Sequence, residues 1–162
     1  MKVAILTANT SVYREEEENL SGEVIKKVVE KAGLEVVFMK ALPNDREVLS
    51  AIMQRIADGK LADLILTTGG AGCALDDYTP EATLDIVDRV VPGIPEAMRA
   101  HTATLTKRAM LSRATAGIRK QSLILNLPGS PKAVRECLEY VISELGHGLD
   151  ILTGKASNCA RK

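Results

Sequence analysis

Residues 63–83, DLILTTGGAGCALDDYTPEAT, join an apolar run to a glycine cluster, two adjacent carboxylates and a Thr-Pro-Glu helix opener. Gly69, Gly70 and Gly72 let the backbone turn sharply and bring its N–H groups close to an anion. A second segment, NLPGSPK at 126–132, carries Gly129 and Ser130 into a helix start, where unpaired N–H groups and the macrodipole favour negative charge. Lys132 opposes that dipole, a placement that a bound anion would explain. Two such cradles suggest two phosphates. Asp76 and Asp77, beside the first cradle, suit either compensation of the next helix dipole or a Mg²⁺ ion shared between carboxylate and phosphate; without a metal they would repel the anion. Ser112 and Arg113, in LSRATAG at 111–117, add a hydroxyl and a guanidinium fitted to bidentate phosphate contact, or to a salt bridge at a helix end.

Neither cradle fits the stock nucleotide fingerprints. Leu75 occupies the place where a dinucleotide motif wants its third glycine, and no Gly-Lys-Ser/Thr follows either segment. Cys73 lies within the first cradle with no base or second thiol in sequence reach. Cys73, Cys137 and Cys159 are far apart, and His101 and His147 have no metal-ligand spacing, so neither zinc nor a disulfide framework is expected. REEEEN at 14–19 reads as a solvated loop. Lysine plus arginine (21) equals aspartate plus glutamate (21), which gives no basic field for nucleic acid or an anionic membrane. With no apolar run long enough to span a bilayer and no signal-peptide pattern, a cytoplasmic protein is expected.

These residues need a scaffold, and the chain spells one out. KVAIL at 2–6, LEVVFMK at 34–40, ADLILTT at 62–68 and SLILNL at 122–127 are apolar runs of strand length. Between them lies a helical pattern with Leu20, Val24, Ile25, Val28, Val29 and Ala32 on one face, stopped by Gly33. Another runs over 44–59 with Asn44 as N-cap and Gly59 as exit. Further helices open at Thr79, at 93–105 and at Ser130-Pro131. Strands alternating with helices imply an α/β fold: a three-layer sandwich with a mostly parallel sheet and helices on both faces. Residues 1–162 are expected to form one domain, its tail loose from about 154. Ligands in such folds sit at the carboxyl ends of the strands, where both cradles fall.

Taken together, LILTTGGAG…DDYTPEAT, VPGIPEAMR, AMLSRATAGIR and LILNLPGSPKAVRECLE resemble the molybdopterin adenylyltransferase family of molybdenum cofactor biosynthesis. The resemblance runs from the first strand to about Leu152. It implies a homotrimeric molybdopterin-binding domain that takes molybdopterin and Mg-ATP as substrates and transfers AMP to the pterin's terminal phosphate. By motif, Thr68, Gly69, Gly70, Gly72 and Asp77 fall on the nucleotide and metal side, with Ala71 in the same loop; Asp77, helped by Asp76 or Asp45, is expected to hold Mg²⁺, with Asp77 and Asp45 as the catalytic residues. Ser112, Arg113, Asn126, Gly129, Ser130 and Lys132 fall on the second set of ligand-binding loops.

The chain departs from the family pattern at Ala71 in place of Thr, at Asp76 in place of Arg, and at Asn44 and Asn9 in place of Asp. These departures leave open a noncatalytic molybdopterin carrier, or a purely structural module, beside a working enzyme.

Overall fold

The computed structural model describes residues 1–156, which build one six-stranded sheet in the order β2-β1-β3-β6-β5-β4. Strands β1 (Lys2–Ala8), β2 (Glu35–Leu42), β3 (Leu64–Thr68) and β6 (Ser122–Leu127) pair in parallel. β5 (Ala116–Arg119) and the two-residue β4 (Arg89–Val90) add an antiparallel edge. The expected fold class is therefore the one observed.

Side chains alternate across the sheet, as the strand period requires. Val3, Ile5, Leu64, Leu66, Leu123 and Leu125 point to one face, against Ile25, Met98 and Leu138 from α2 (Leu20–Lys31), α5 (Gly93–Ala103) and α6 (Pro131–Leu152). Ala4, Leu6, Ile65 and Ile124 point to the other, against Leu49, Met53, Ile56 and Ala82 from α3 (Arg46–Asp58) and α4 (Thr79–Leu84). The runs read as apolar without interruption because both faces are covered. A single helical turn, α1 (Thr10–Tyr13), follows β1.

Local expectations are corrected in several places. The N-cap of α3 is Asp45, whose Oδ1 accepts the Val48 N–H at 2.9 Å; Asn44 lies one residue outside the helix. Thr79 does not cap α4 but is its first residue, fully buried, with its hydroxyl donated to the Gly69 carbonyl at 2.9 Å. In α2, Leu20 is 56% exposed and Ala32 is exposed, so the buried stripe is Ile25, Val28 and Val29. Arg119 belongs to β5 rather than to a polar turn, and its guanidinium pairs with Asp58 of α3 at 2.7 Å. That guanidinium, with its hydrogen bonds, holds the Asp58 carboxyl below its ordinary value. Gly154, at φ 75°, and the Lys155 and Ala156 N–H groups, which bond the Asp150 carbonyl, close α6 in an αL-type cap. Residues 157–162, with Cys159 and most of the expected tail, lie outside the described residues.

Candidate functional site

The sheet's order reverses beside β1, which is flanked by β2 and β3, and the carboxyl ends there form the crevice where such folds bind ligands. The bend after β3 (69–77) and the bend after β6 (128–130) meet at this rim. A Cβ on Gly129 would lie 3.5 Å from the Gly69 Cα, so the two bends are in contact, and the Thr68 hydroxyl donates to the Pro128 carbonyl at 2.6 Å across the seam.

Glycine is required in the first bend. Gly69 and Gly70 have φ of 87° and 62°, and a Cβ on them would run into the Ala8 carbonyl and the Thr79 hydroxyl respectively. The direction of the bend's polar groups is the central feature of the site. The carbonyls of Gly69, Gly70, Ala71 and Gly72 accept bonds from Thr79 Oγ1, Thr79 N, Arg113 N and Arg113 Nε. The N–H groups of Gly69, Gly70, Ala71, Gly72 and Cys73 have no acceptor among the described residues. The second bend repeats the arrangement: the Pro128 and Gly129 carbonyls accept the Thr68 and Ser21 hydroxyls, while the Gly129 and Ser130 N–H groups have no described partner. Donors left unpaired with their carbonyls tied back form the kind of backbone concavity that can accept an anion.

Of the two roles the sequence allowed Arg113, the salt bridge at a helix end is the one formed here. Its fork donates to the Gly72 and Asp77 carbonyls and to the Glu81 carboxylate, and so is used inside the protein to clasp the first bend onto α4. Burial raises the Glu81 pKa, but hydrogen bonding and charge from Arg113 outweigh it and leave the carboxyl below its ordinary 4.5. Asn126, unlike the exposed Arg113, is an interior residue. It is fully buried, with Nδ2 donating to Thr67 and Thr83 hydroxyls at 3.0 and 2.9 Å and Oδ1 accepting the Thr115 N–H at 3.2 Å. It braces β6 beneath the bend and leaves no side-chain group for a ligand. Thr68 and Ala71 are buried too, and they reach the rim through their backbone. Lys132 needs no anion to account for it, since it faces Glu136 one helical turn away at 3.9 Å while 89% exposed.

The carboxylates separate. Asp77 Oδ2 folds back onto the Ala74 N–H at 2.9 Å and would lie 2.9 Å from a Cβ on Gly72. Asp76 reaches the turn after β2 instead, accepting from Asn44 Nδ2 at 3.3 Å. The Asn44 Oδ1 beside it is buried and unpartnered. Asp45 faces its own helix as cap. No group of three or more His, Cys, Asp or Glu residues gathers among the described residues. The residues near the rim that sequence reasoning passed over are Ser21, Thr79 and Glu81, all acting through hydrogen bonds that join distant segments and leave no local pattern.

A mostly parallel sheet with helices on both faces and two glycine bends at its carboxyl rim defines an α/β three-layer sandwich. More particularly, the chain belongs to the molybdopterin-binding domain family: residues 4–147 match the model described as "Probable molybdopterin binding domain". It is 36% identical over 154 residues to the molybdopterin adenylyltransferase of Helicobacter pylori, covering 94% of this chain and 88% of that one. The crystal structure of the molybdopterin biosynthesis enzyme MoaB from Thermus thermophilus superposes with a TM-score of 0.90 at 41% identity, covering 97% of this chain and 99% of that one. The tungsten cofactor synthesizing protein MoaB from Pyrococcus furiosus does so at 0.81 and 35% identity, covering 92% and 94%.

Proposed function

We propose that this protein acts in molybdenum cofactor biosynthesis as a molybdopterin adenylyltransferase, transferring AMP from ATP to the terminal phosphate of molybdopterin. The observation that carries this reading is the polarity of the two touching bends, in which carbonyls are tied inward and N–H donors are left for a ligand. In the reaction a pterin phosphate oxygen attacks the α-phosphorus of ATP, the bond from that phosphorus to the bridging oxygen breaks, and pyrophosphate leaves. Like charges must be held together for this, and fixed amide donors do so without reorganising as charge moves. The Gly69–Cys73 donors hold one phosphoryl group and the Gly129 and Ser130 donors the other. Arg113 and Asn126 keep those bends in place.

A magnesium ion suits the residues present, because Mg²⁺ takes one or two protein oxygens and completes its shell with water and phosphate. Asp76 and the unpartnered Asn44 Oδ1 would hold it. When bound it would draw charge from the reacting phosphates. Asp45, committed to capping α3, serves by fixing the turn that carries Asn44. The working form is a cytoplasmic homotrimer, on the strength of the family resemblance, and sedimentation of the purified protein tests the assembly.

Incubation with molybdopterin, ATP and Mg²⁺ should yield adenylylated pterin and pyrophosphate. No product, where a known adenylyltransferase yields it, overturns the reading. The Asn44 and Ala71 departures support a second reading, a pterin carrier. It predicts calorimetric binding of molybdopterin with no binding of Mg-ATP.

A further inference from the structure

Three side-chain hydroxyls at the rim each end on one carbonyl of the two bends. Thr68 Oγ1 donates to the Pro128 carbonyl at 2.6 Å, Ser21 Oγ to that of Gly129 at 2.6 Å and Thr79 Oγ1 to that of Gly69 at 2.9 Å. No described peptide bond is cis, and in a planar trans peptide the carbonyl and the N–H of the following residue point in opposite directions. The hydroxyl that holds the Pro128 carbonyl therefore aims the Gly129 N–H, the one on Gly129 aims the Ser130 N–H, and the one on Gly69 aims the Gly70 N–H. All three N–H groups are without an acceptor among the described residues. A hydrogen bond accepted at the carbonyl also polarises the peptide, which makes its N–H the stronger donor.

Glycine makes this hold necessary. Each of the three peptides adjoins Gly69, Gly70 or Gly129, and a peptide plane beside glycine meets little steric resistance to rotation. The hydroxyls themselves are fixed. Thr68 and Thr79 are fully buried and Ser21 nearly so. Thr68 ends β3 in register with Leu127, and Thr79 opens α4 ahead of Pro80. Ser21 sits in the first turn of α2, where Asn19 Oδ1 accepts both the Gly22 N–H at 3.1 Å and the Thr7 hydroxyl at 2.9 Å, pinning the turn to the end of β1. The Ala71 and Gly72 amides are aimed differently, because the Gly70 and Ala71 carbonyls accept the backbone N–H groups of Thr79 and Arg113. No side-chain replacement removes those bonds.

We propose that Thr68, Ser21 and Thr79 are positioning residues, aiming the amides of Gly129, Ser130 and Gly70 in turn at phosphoryl oxygens. The identity of the ligand rests on the adenylyltransferase reading; the pairing of each hydroxyl with one amide rests on the hydrogen bonds alone.

Amide NMR of the full chain during titration with inorganic pyrophosphate follows each donor separately. In the wild type the Gly70, Gly129 and Ser130 signals should move downfield and saturate. Thr68→Val should abolish the Gly129 response and keep that of Ser130. Ser21→Ala, a replacement that a helix accepts readily, should do the reverse, and Thr79→Val should remove the Gly70 response alone. The Ala71 and Gly72 signals should behave as in the wild type throughout. Thr68→Ser keeps the hydroxyl but leaves a methyl-sized gap, so it should melt below the wild type and still show the Gly129 response, a combination that a merely structural role of Thr68 does not give. A wild type without shifts, or variants in which all responses fall together or all persist, overturns the proposal.

Steady-state kinetics links the aim to turnover. kcat/KM should fall about tenfold in Thr68→Val and in Ser21→Ala, as one hydrogen bond to a charged oxygen is misdirected, while Thr68→Ser stays near the wild type. Unchanged rates in the first two overturn the positioning role. The one-to-one pattern of shifts without any adenylylated product would remove the reaction and leave the positioning.

Discussion

On either side of the contact between Gly69 and Gly129 the molecule presents a hollow, and the two are opposite in charge. The smaller, about 210 Å³, is lined by Thr7, Asn9, Asn19, Ser21, Thr68 and by the carboxylates of Glu17 and Glu18. The larger carries Arg99, Arg108 and Lys132. The second bend borders both, so its amide geometry alone cannot sort two phosphorylated ligands. Side-chain charge can. Unit charges about 4 Å apart interact by roughly 4 kcal/mol at the effective dielectric of a protein surface, enough to keep a bare polyphosphate out of the acidic hollow unless a cation accompanies it. The bends provide a general preference for anions, and the flanking segments give it direction.

The bends themselves are also unequal, and Gly69→Ala against Gly129→Ala breaks that comparison most sharply. The first introduces a methyl into the Ala8 carbonyl at a positive φ; the second introduces one at an ordinary 3.5 Å contact. Gly69→Ala should cost roughly 2–3 kcal/mol in a denaturant titration and about 100-fold or more in kcat/KM as the donors are displaced. Gly129→Ala should cost less than about 1 kcal/mol. Equal losses would show that the bends are equally constrained.

Next in size, Asp76→Ala should lower turnover on the order of 100-fold and raise the Mg²⁺ concentration needed for half-maximal rate, with little change in melting because Asp76 is exposed. Glu81→Gln, which weakens the Arg113 clasp, should lower kcat/KM roughly tenfold. Its pH signature follows from the depressed Glu81 pKa. The attachment contributes fully above the ordinary 4.5 and is lost as pH falls through the lower folded value, so below 4.5 stability should fall with acid more in the wild type than in Glu81→Gln. The smallest effect belongs to Lys132→Ala: the exposed pair with Glu136 should be worth less than about 0.5 kcal/mol in the same titration.

The central strands were legible because both faces of the sheet are covered, which turns strands such as LILTT and SLILNL into uninterrupted apolar runs. β4 and β5 were not, because Arg89–Val90 and Ala116–Arg119 are too short for a periodic pattern to form. Asn44 and Asp45 are both good caps, and only the helix phase chooses between them. Within the site, glycine spacing located both bends. Sequence could not tell that Arg113 and Asn126 spend their donors within the protein, since an arginine beside a glycine loop reads the same whether its fork meets a ligand or a carbonyl. The unpaired N–H groups were likewise invisible, being fixed by partners as remote as Ser21 and Thr79.

Strand β5 runs against β6, so its amino end reaches the edge where β3 and β6 finish, and residues 112–115 join the rim with no crossover helix to carry them. The hairpin reverses at Lys120, with φ of 53°, at the opposite pole of the sheet. A peptide tag or fluorophore spliced between Lys120 and Gln121 would hang from that pole, so the protein could be anchored to a sensor surface with both hollows facing solution.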